Sequence, residues 1–567
     1  VSGVLLAAAV AVPALLTLLA LVPPWRSRLV PVLPLAPLPA LLAALLVPED
    51  TTLSVPWLLL GGTWALDAVR RLLLAQMALV WALGALVAAR HADTAPRLPT
   101  LTLPWLLTLT GATWVALAHD IAGFYSAFAL LSFGAYPLVV ARGGPDTVPA
   151  GRRYLVYTVG AEMALLVGLL GASARGAGQS LAGVASVLTA AREEPVGLLL
   201  LLALLIGFGV KSALLGVHGW LPATYTVAPA PVRVVLGGAL INAGVLGWLV
   251  TLPLGAAAFP TVGTPLVAVG LLAAIGGALR GTLLARVPTM LGWSSVSQMG
   301  LVTLLLGVAL VSERPESAAV LALYAVQHGL AKGALFAGSA AHWPLPLAGR
   351  WLLLVPALAL AGAPLTSGAV AKLGLKQLLT DAGLSALVPW TSVAAIGTTL
   401  LLTRVWWQVL ANTGAADTPP ADTRSAGGVG DWPWPLFVLA VASAVWWWPV
   451  PIARDAGVSS ALALGWPLVA GVLAALALRR WLPIVATISS GAPGQSAHSA
   501  PPSPVPHTPV THTADESSPR RGASDPSAVP EDQRPDRSER AELLLRRALP
   551  WGLGVVWLGA WLALSVY

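Results

Sequence analysis

Of the 567 residues 57% are hydrophobic and only 10% are charged, against roughly 25% charged in an ordinary soluble domain, which excludes a water-soluble globular fold for most of the chain. The net charge of +8 does not point to nucleic acid, because the basic residues are scattered at helix ends instead of gathering in one patch. Cysteine is absent, so disulfides, thiolate metal sites, Cys-ligated iron–sulfur clusters and cysteine nucleophiles are excluded.

Apolar runs of roughly 20 residues, enough to cross a bilayer as helices, recur along almost the whole length. The alternating strands of a transmembrane barrel are missing. The expected fold is therefore an all-α polytopic membrane protein with about sixteen transmembrane helices. The spans are expected near 4–22, 29–47, 66–88, 101–118, 121–141, 154–174, 196–216, 232–252, 262–285, 288–310, 318–341, 351–380, 389–410, 433–450, 460–482 and 547–566. The first starts apolar, has no basic n-region and runs into Pro23, Pro24, Trp25 and Arg26, so it reads as a span and not as a cleaved signal peptide.

Organised by domain, 1–100 holds spans one to three, 101–252 and 262–410 each hold five, and 411–432 is a polar, glycine-rich linker. Residues 433–482 hold spans fourteen and fifteen, and 547–567 the last. Between them, 485–545 is rich in Pro, Ser, Thr and charge, cannot bury enough apolar surface to order itself, and reads as a disordered cytoplasmic loop. His498, His507 and His512 lie in that loop and read as solvated, not as a metal tract. Ser538 to Arg547 reads as a short basic amphipathic helix at the membrane surface.

With the N-terminus outside, cytoplasmic connections carry Arg26, Arg28, Arg90, Arg97, Arg142, Arg152, Arg153, Arg233, Arg286, Arg350, Arg404, Arg424, Arg479 and Arg480. The external side carries Arg70, Arg71, Arg175, Arg192, Arg314 and Arg454. A bias of roughly two to one or better agrees with the positive-inside rule for both termini outside a cell membrane.

Ionisable residues inside spans are expensive and ask for a function. Span seven is interrupted by GFGVK…HGWLP around Lys211, and span twelve by AGAPLTSG just before Lys372. Glycine and proline there free backbone groups that lipid cannot satisfy, which is tolerated where the backbone lines a cavity or is buried in protein. Paired broken helices in corresponding places point to a transport site between repeats. Glu162 in span six, Gln298 in span ten, and His328 with Lys332 in span eleven accompany them. His328 and Lys332 are four residues apart, hence on one helical face. Histidine exchanges protons near neutral pH, and a desolvated lysine gains the same ability, so a row of such groups suits a proton relay. Lys376, Arg280 and Arg286, near span ends, read as snorkelling charges. Asp67, His119 and Asp120 sit at span boundaries and read as caps or interface anchors. Clusters such as Trp446 to Trp448 read as interfacial belts. No metal or nucleophile constellation is present and no cofactor is expected, since no glycine-rich turn follows a strand.

These residues resemble the antiporter-like membrane subunits shared by respiratory complex I, membrane-bound hydrogenases and Mrp-type cation/proton antiporters. The resemblance covers roughly Trp105 to Lys376. KSALLGVHGWLPATYTVAPAPVRVVLGGALINAGVLG is similar to the family's lysine-containing broken helix, its HxWLP loop and the next helix. LGWSSVSQMG is similar to its AYSS segment, LYAVQHGLAKGALF to its HxxxK helix, and LAGAPLTSGAVAK to its second broken helix. The resemblance implies two inverted five-helix repeats, with broken helices seven and twelve, and a proton pathway through a central row of lysines, histidine and glutamate. Lys211 would be the proton-loading lysine, His328 and Lys332 the connecting relay, and Lys372 the terminal group, with His218 and Gln298 as accessory candidates.

The departures are specific. Where the family has a glutamate in span five this chain has Ala129, its common span-eight lysine is Asn242, and a histidine sometimes found after AYSS is Gln298. Glu162, about halfway through the hydrocarbon at helical rise, is expected to replace the missing carboxylate as electrostatic partner of Lys211. The alternative is a degenerate subunit in which Glu162 is merely hydrogen-bonded. Complex I's distal subunit has a long lateral helix before its last span, which the proline- and serine-rich 485–545 cannot form. The resemblance implies partner membrane subunits of a hydrogenase-like or NADH-quinone oxidoreductase-like redox complex or a cation/proton antiporter, with H+ and Na+ as candidate ions. An inorganic-carbon uptake system with a soluble partner also fits. A non-conducting membrane scaffold is the reading from another class.

Overall fold

The structure is a computed structural model and describes residues 2–59, 61–90, 95–339, 347–411, 434–445 and 458–478, all within one unit, Val1–Leu482. The linker beyond Ala411, the loop 485–545 with its three histidines, the surface helix Ser538–Arg547, the Trp446–Trp448 cluster and the last span lie outside the described residues.

Almost everything described is helical. Among the described residues ten helices are long and apolar enough to cross a membrane, and four shorter apolar helices accompany them. The chain is a multi-span membrane protein. It opens with α1 (Ser2–Ala20), α2 (Pro23–Leu29) and α3 (Leu38–Leu46). The single span expected at 29–47 is thus not one helix: Pro31, Pro34, Pro37 and Pro39 remove amide donors and clash with the preceding turn, and the chain turns at Val30–Val32. A second feature that the apolar pattern does not announce is a hairpin of β1 (Thr51–Val55) and β2 (Gly62–Leu66), antiparallel with Thr51 opposite Leu66.

Then come α4 (Ala68–Arg90), α5 (Leu98–Leu117), α6 (Ile121–Val140) and α7 (Thr147–Ala172). Asp120 caps α6, accepting from Gly123 N at 2.6 Å and holding Thr63 N of the hairpin at 2.9 Å. Asp67 likewise accepts from Arg70 N at 2.8 Å at the start of α4. A short helix, α8 (Leu181–Ala190), precedes α9 (Pro195–Lys211), α10 (Trp220–Val227), α11 (Ala230–Val235) and α12 (Ile241–Thr251). A π-helical turn, Leu236–Leu240, joins α11 and α12 into one membrane-length run.

The second half holds α13 (Pro260–Thr282), α14 (Val287–Val311) and α15 (Glu316–Gly338). It continues with α16 (Leu347–Leu352), α17 (Leu354–Ala361), α18 (Ser367–Asp381) and α19 (Val388–Ala411). The shorter α20 (Trp434–Val445) and the 21-residue α21 (Val458–Leu478) follow.

Burial sorts these helices. In α14 and α15, 94% of the membrane-length window is buried, against 33% for α1 and 39% for α7 with its continuation. The apolar sides of α1 and α7 therefore face outward, while α15 is central and packs on α4, α11, α12, α14, α17, α18 and α20. That central helix carries His328 and Lys332.

Candidate functional site

Both expected breaks are present, and each has a built geometry. The α9 helix stops at Lys211, after which Ala213 (φ 54°) and Gly216 (φ 98°) interrupt the helix before α10. The α17 helix stops at Ala361, and Gly362 (φ 88°) and Leu365 (φ 67°) lead into α18, whose first turn is capped by Thr366. One non-glycine residue in the left-handed region at each break stores strain of the kind found at functional sites. The freed carbonyls find partners. Trp220 Nε1 donates to Val210 O at 2.7 Å across the first break. Lys372 Nζ donates to Leu360 O at 3.0 Å and Ala361 O at 2.5 Å across the second. The two lysines are placed differently: Lys211 is the last residue before its break, whereas Lys372 lies beyond its break and folds back.

Lys211 is 2% exposed and sits in an aromatic box. Its Nζ lies 5.3 Å from the Tyr154 ring centroid, 5.9 Å from that of Phe128 and 6.0 Å from that of Trp220, within the range of cation–π attraction. Its hydrogen-bond partner is Tyr154 OH at 3.4 Å. That hydroxyl in turn donates to Ser132 O at 2.7 Å.

Glu162 is 1% exposed on α7, the helix that packs along α9. Spacings of four put Tyr154, Thr158 and Glu162 on one face of α7. Among the described residues Glu162 forms no ion pair with Lys211 within 4.0 Å, and neither carboxylate oxygen has a hydrogen-bond partner. The groups that act on it electrostatically are Lys211 and the Ser132 hydroxyl. The structure thus brings Glu162 into the neighbourhood of Lys211 but not into contact.

His328 and Lys332 are fully buried on α15. Lys332 Nζ donates to Leu291 O of α14 at 3.0 Å, and both nitrogens of His328 are without a partner. One turn back on the same face, Tyr324 OH donates to Gln298 Oε1 at 2.9 Å, and Gln298 Nε2 donates to Thr398 Oγ1 of α19 at 3.1 Å. Gln298 therefore joins the α15 stripe, whereas Lys372 stands apart at the second break. There it shares a small cleft with Lys376, Leu301, Thr391 and Ala395, and Lys376 Nζ reaches Ser392 Oγ at 3.3 Å.

Asn242 fills the position where a lysine is expected with a neutral link. Its Nδ2 donates to Gln76 Oε1 at 2.9 Å and to Ala325 O at 2.8 Å, and Gln76 Nε2 donates to Gly238 O. Three helices, α4, α12 and α15, meet at these amides. His218 lies in the loop after the first break, with its ring edge-on to Trp293 at 5.5 Å and its Nδ1 accepting from Gly216 N at 3.3 Å. Burial depresses its pKa, which favours the neutral acceptor form.

Sequence reading overlooked Tyr154, Ser132, Tyr324, Thr398 and Gln76. The first and third carry a usable signal, because Tyr154 precedes Glu162 by two fours and Tyr324 precedes His328 by one. Gln76 is a lone amide in the apolar run RLLLAQMALVWAL. Ser132 and Thr398 carry no such mark.

Residues 118–399 match the family model described as "NADH:quinone oxidoreductase/Mrp antiporter, TM". The chain is 28% identical over 349 residues to NADH-quinone oxidoreductase subunit N of Desulforudis audaxviator, covering 57% of this chain and 66% of that one. Among solved structures it resembles a chain of the Mrp complex from Dietzia sp. (TM-score 0.68, 19% identity, 88% of this chain and 57% of that one). It also resembles a chain of the membrane-bound sulfane sulfur reductase, an archaeal respiratory membrane complex (TM-score 0.64, 16% identity, 85% of this chain and 100% of that one). At these identities the structures establish a shared fold. The chain spans between 32% and 66% of the length of the first curated relatives it matches.

Proposed function

The chain belongs, through residues 118–399, to the NADH:quinone oxidoreductase/Mrp antiporter membrane family, and from that premise we propose that it is a proton-translocating subunit of a multi-subunit membrane complex. Lys211 loads a proton, His328 and Lys332 relay it along α15, and Lys372 is the terminal group. Glu162 biases Lys211 through space. The observation that carries this reading is the burial of these ionisable groups, all at most 5% exposed, with no ion pair to compensate any of them among the described residues. Isolated buried charges cost several kcal/mol, and a fold that keeps several of them gains something other than stability.

The family relation suggests other membrane subunits as partners and H+ and Na+ as candidate ions, and the arginine bias suggests both termini on the external side of the cell membrane. Purification in mild detergent and identification of what co-purifies decides between a redox complex, an antiporter and an inorganic-carbon uptake system with a soluble partner. The transport reading is tested in proteoliposomes of the full chain with its co-purifying subunits, where a potassium diffusion potential drives proton entry read by a pH-sensitive dye. Lys211→Ala and Lys332→Ala lower the flux at least tenfold while assembly is intact. Unchanged flux sinks the proposal and leaves the second reading, a non-conducting membrane scaffold. That reading draws on Ala129, on the neutral Asn242 link and on the backbone carbonyls that hold Lys332 and Lys372.

A further inference from the structure

Resting on that reading, we propose that Tyr154 and Ser132 are the hydroxyl bridge through which Lys211 and Glu162 exchange a proton. An electrostatic partner normally stands in contact with the charge it serves, and here it does not: the two groups form no ion pair within 4.0 Å. What does touch Lys211 Nζ is the Tyr154 hydroxyl, 3.4 Å away. The same hydroxyl is anchored on the backbone of Ser132 at 2.7 Å. Beyond it stand complementary groups with nothing to bond, the Ser132 Oγ and both oxygens of Glu162. Tyr154, Ser132, Glu162 and Lys211 are each at most 2% exposed, so bulk water does not serve them.

A buried hydroxyl that both donates and accepts passes a proton without net change. The ring of Tyr154 is fixed edge-on to Trp220 at 5.4 Å and 74°, which leaves rotation about the phenol C–O bond as its free motion. Turned from the Ser132 carbonyl toward the Ser132 hydroxyl, Tyr154 links both ends. In the transfer one Lys211 N–H bond breaks as a Tyr154 O–H bond forms, and the proton that Tyr154 held passes to Ser132 Oγ. The Ser132 proton passes to a Glu162 carboxylate oxygen. Lys211 ends as a neutral amine, Glu162 as a neutral acid, and each hydroxyl again holds one proton. The reverse sequence resets the pair. Phe128 and Trp220, the other walls of the box, have no hydroxyl, so Tyr154 is the wall of the box that can pass a proton on from Lys211.

The test is a double-mutant comparison in the proteoliposome assay, with co-purification of the partner subunits as the measure of assembly. Tyr154→Phe keeps the ring and its cation–π face and removes only the hydroxyl. Ser132→Ala serves as a second, independent variant that keeps the inference testable if Tyr154→Phe assembles poorly. The expected result is a flux at least tenfold below wild type for Tyr154→Phe, for Ser132→Ala and for Glu162→Gln. The double variants Tyr154→Phe/Glu162→Gln and Ser132→Ala/Glu162→Gln are then no slower than Glu162→Gln alone, because all act on one transfer. A merely structural hydroxyl gives multiplicative losses, which overturns the inference. So does wild-type flux in the hydroxyl variants while Lys211→Ala abolishes it. If Lys211→Ala itself leaves flux intact, it is the transport reading that fails, and this inference with it.

Discussion

Gly329 gives the sharpest stability prediction, because its surroundings include both backbone and the central amides. It lies on α15 beside His328, and a Cβ added there would come 2.4 Å from Gly238 O, 2.6 Å from Asn242 Nδ2 and 2.7 Å from Gln76 Nε2. The amides can retreat only by giving up the bonds that join α4, α12 and α15, and the Gly238 carbonyl is main chain. Overpacking of this kind costs about 1–3 kcal/mol. Two strained interhelical hydrogen bonds in a membrane protein add about 1 kcal/mol at roughly 0.6 each. The better helix propensity of alanine returns about 1 kcal/mol. Gly329→Ala is therefore expected to destabilise by about 1–3 kcal/mol. Gly160 on α7 is the control, since an added Cβ there meets nothing within 4 Å, and Gly160→Ala is expected to be neutral or stabilising by up to about 1 kcal/mol. Both variants are heated in detergent and the monodisperse fraction is followed by size-exclusion chromatography with tryptophan fluorescence. A Tm for Gly329→Ala equal to that of Gly160→Ala would refute the close approach of α12 and α15.

Asp120→Ala removes the cap of α6 and the hold on Thr63 and lowers stability by about 1–2 kcal/mol in the same assay, with Asp120→Asn recovering only part of it, because its single amide oxygen can accept from Gly123 N or Thr63 N but not both. Trp220→Phe removes the shorter of two bonds to the buried Val210 carbonyl, which keeps Ala213 N at 3.2 Å, and costs about 0.5–1.5 kcal/mol, most simply seen as a lower midpoint on heating. His119, between α5 and α6, has its pKa held down by burial and by the neighbouring Arg70. In the unfolded chain it titrates near about 6.5, so below that pH the unfolded state binds the extra proton. Stability therefore falls as the pH drops through about 6.5 and is retained above it. His119→Gln reduces that pH dependence, measured as Tm at pH 5.5 and 7.5, and an unaltered slope would show that the histidine is not shielded.

The sequence by itself determined the class of this molecule and the places where ionisable residues fall inside its apolar runs. Runs of apolar residues long enough for a bilayer leave helices as the economical solution, because each satisfies its own backbone hydrogen bonds. Glycine and proline beside Lys211 and Lys372 mark breaks by local sterics alone, and the spacing of His328 and Lys332 fixes a shared helical face. Such properties depend on neighbours within one or two turns, which a linear string displays. Local content did not suffice at 29–47, where prolines cut an apolar run that hydropathy counts as one span, or at the β1–β2 hairpin, whose pairing joins residues on separate strands.

Tertiary structure alone decided who meets whom. Lys211 faces an aromatic box drawn from α6, α7 and α10 in place of a carboxylate. Lys372 closes its own broken helix, although its motif parallels that of Lys211. Asn242 finds Gln76, 166 residues earlier in the chain. These partners lie on helices whose crossing angles and rotations are set by packing over many side chains, so no local pattern encodes them. Glu162 shows both sides: its burial is written in the apolar run around it, but its separation from Lys211 follows only from how α6, α7 and α9 settle against one another.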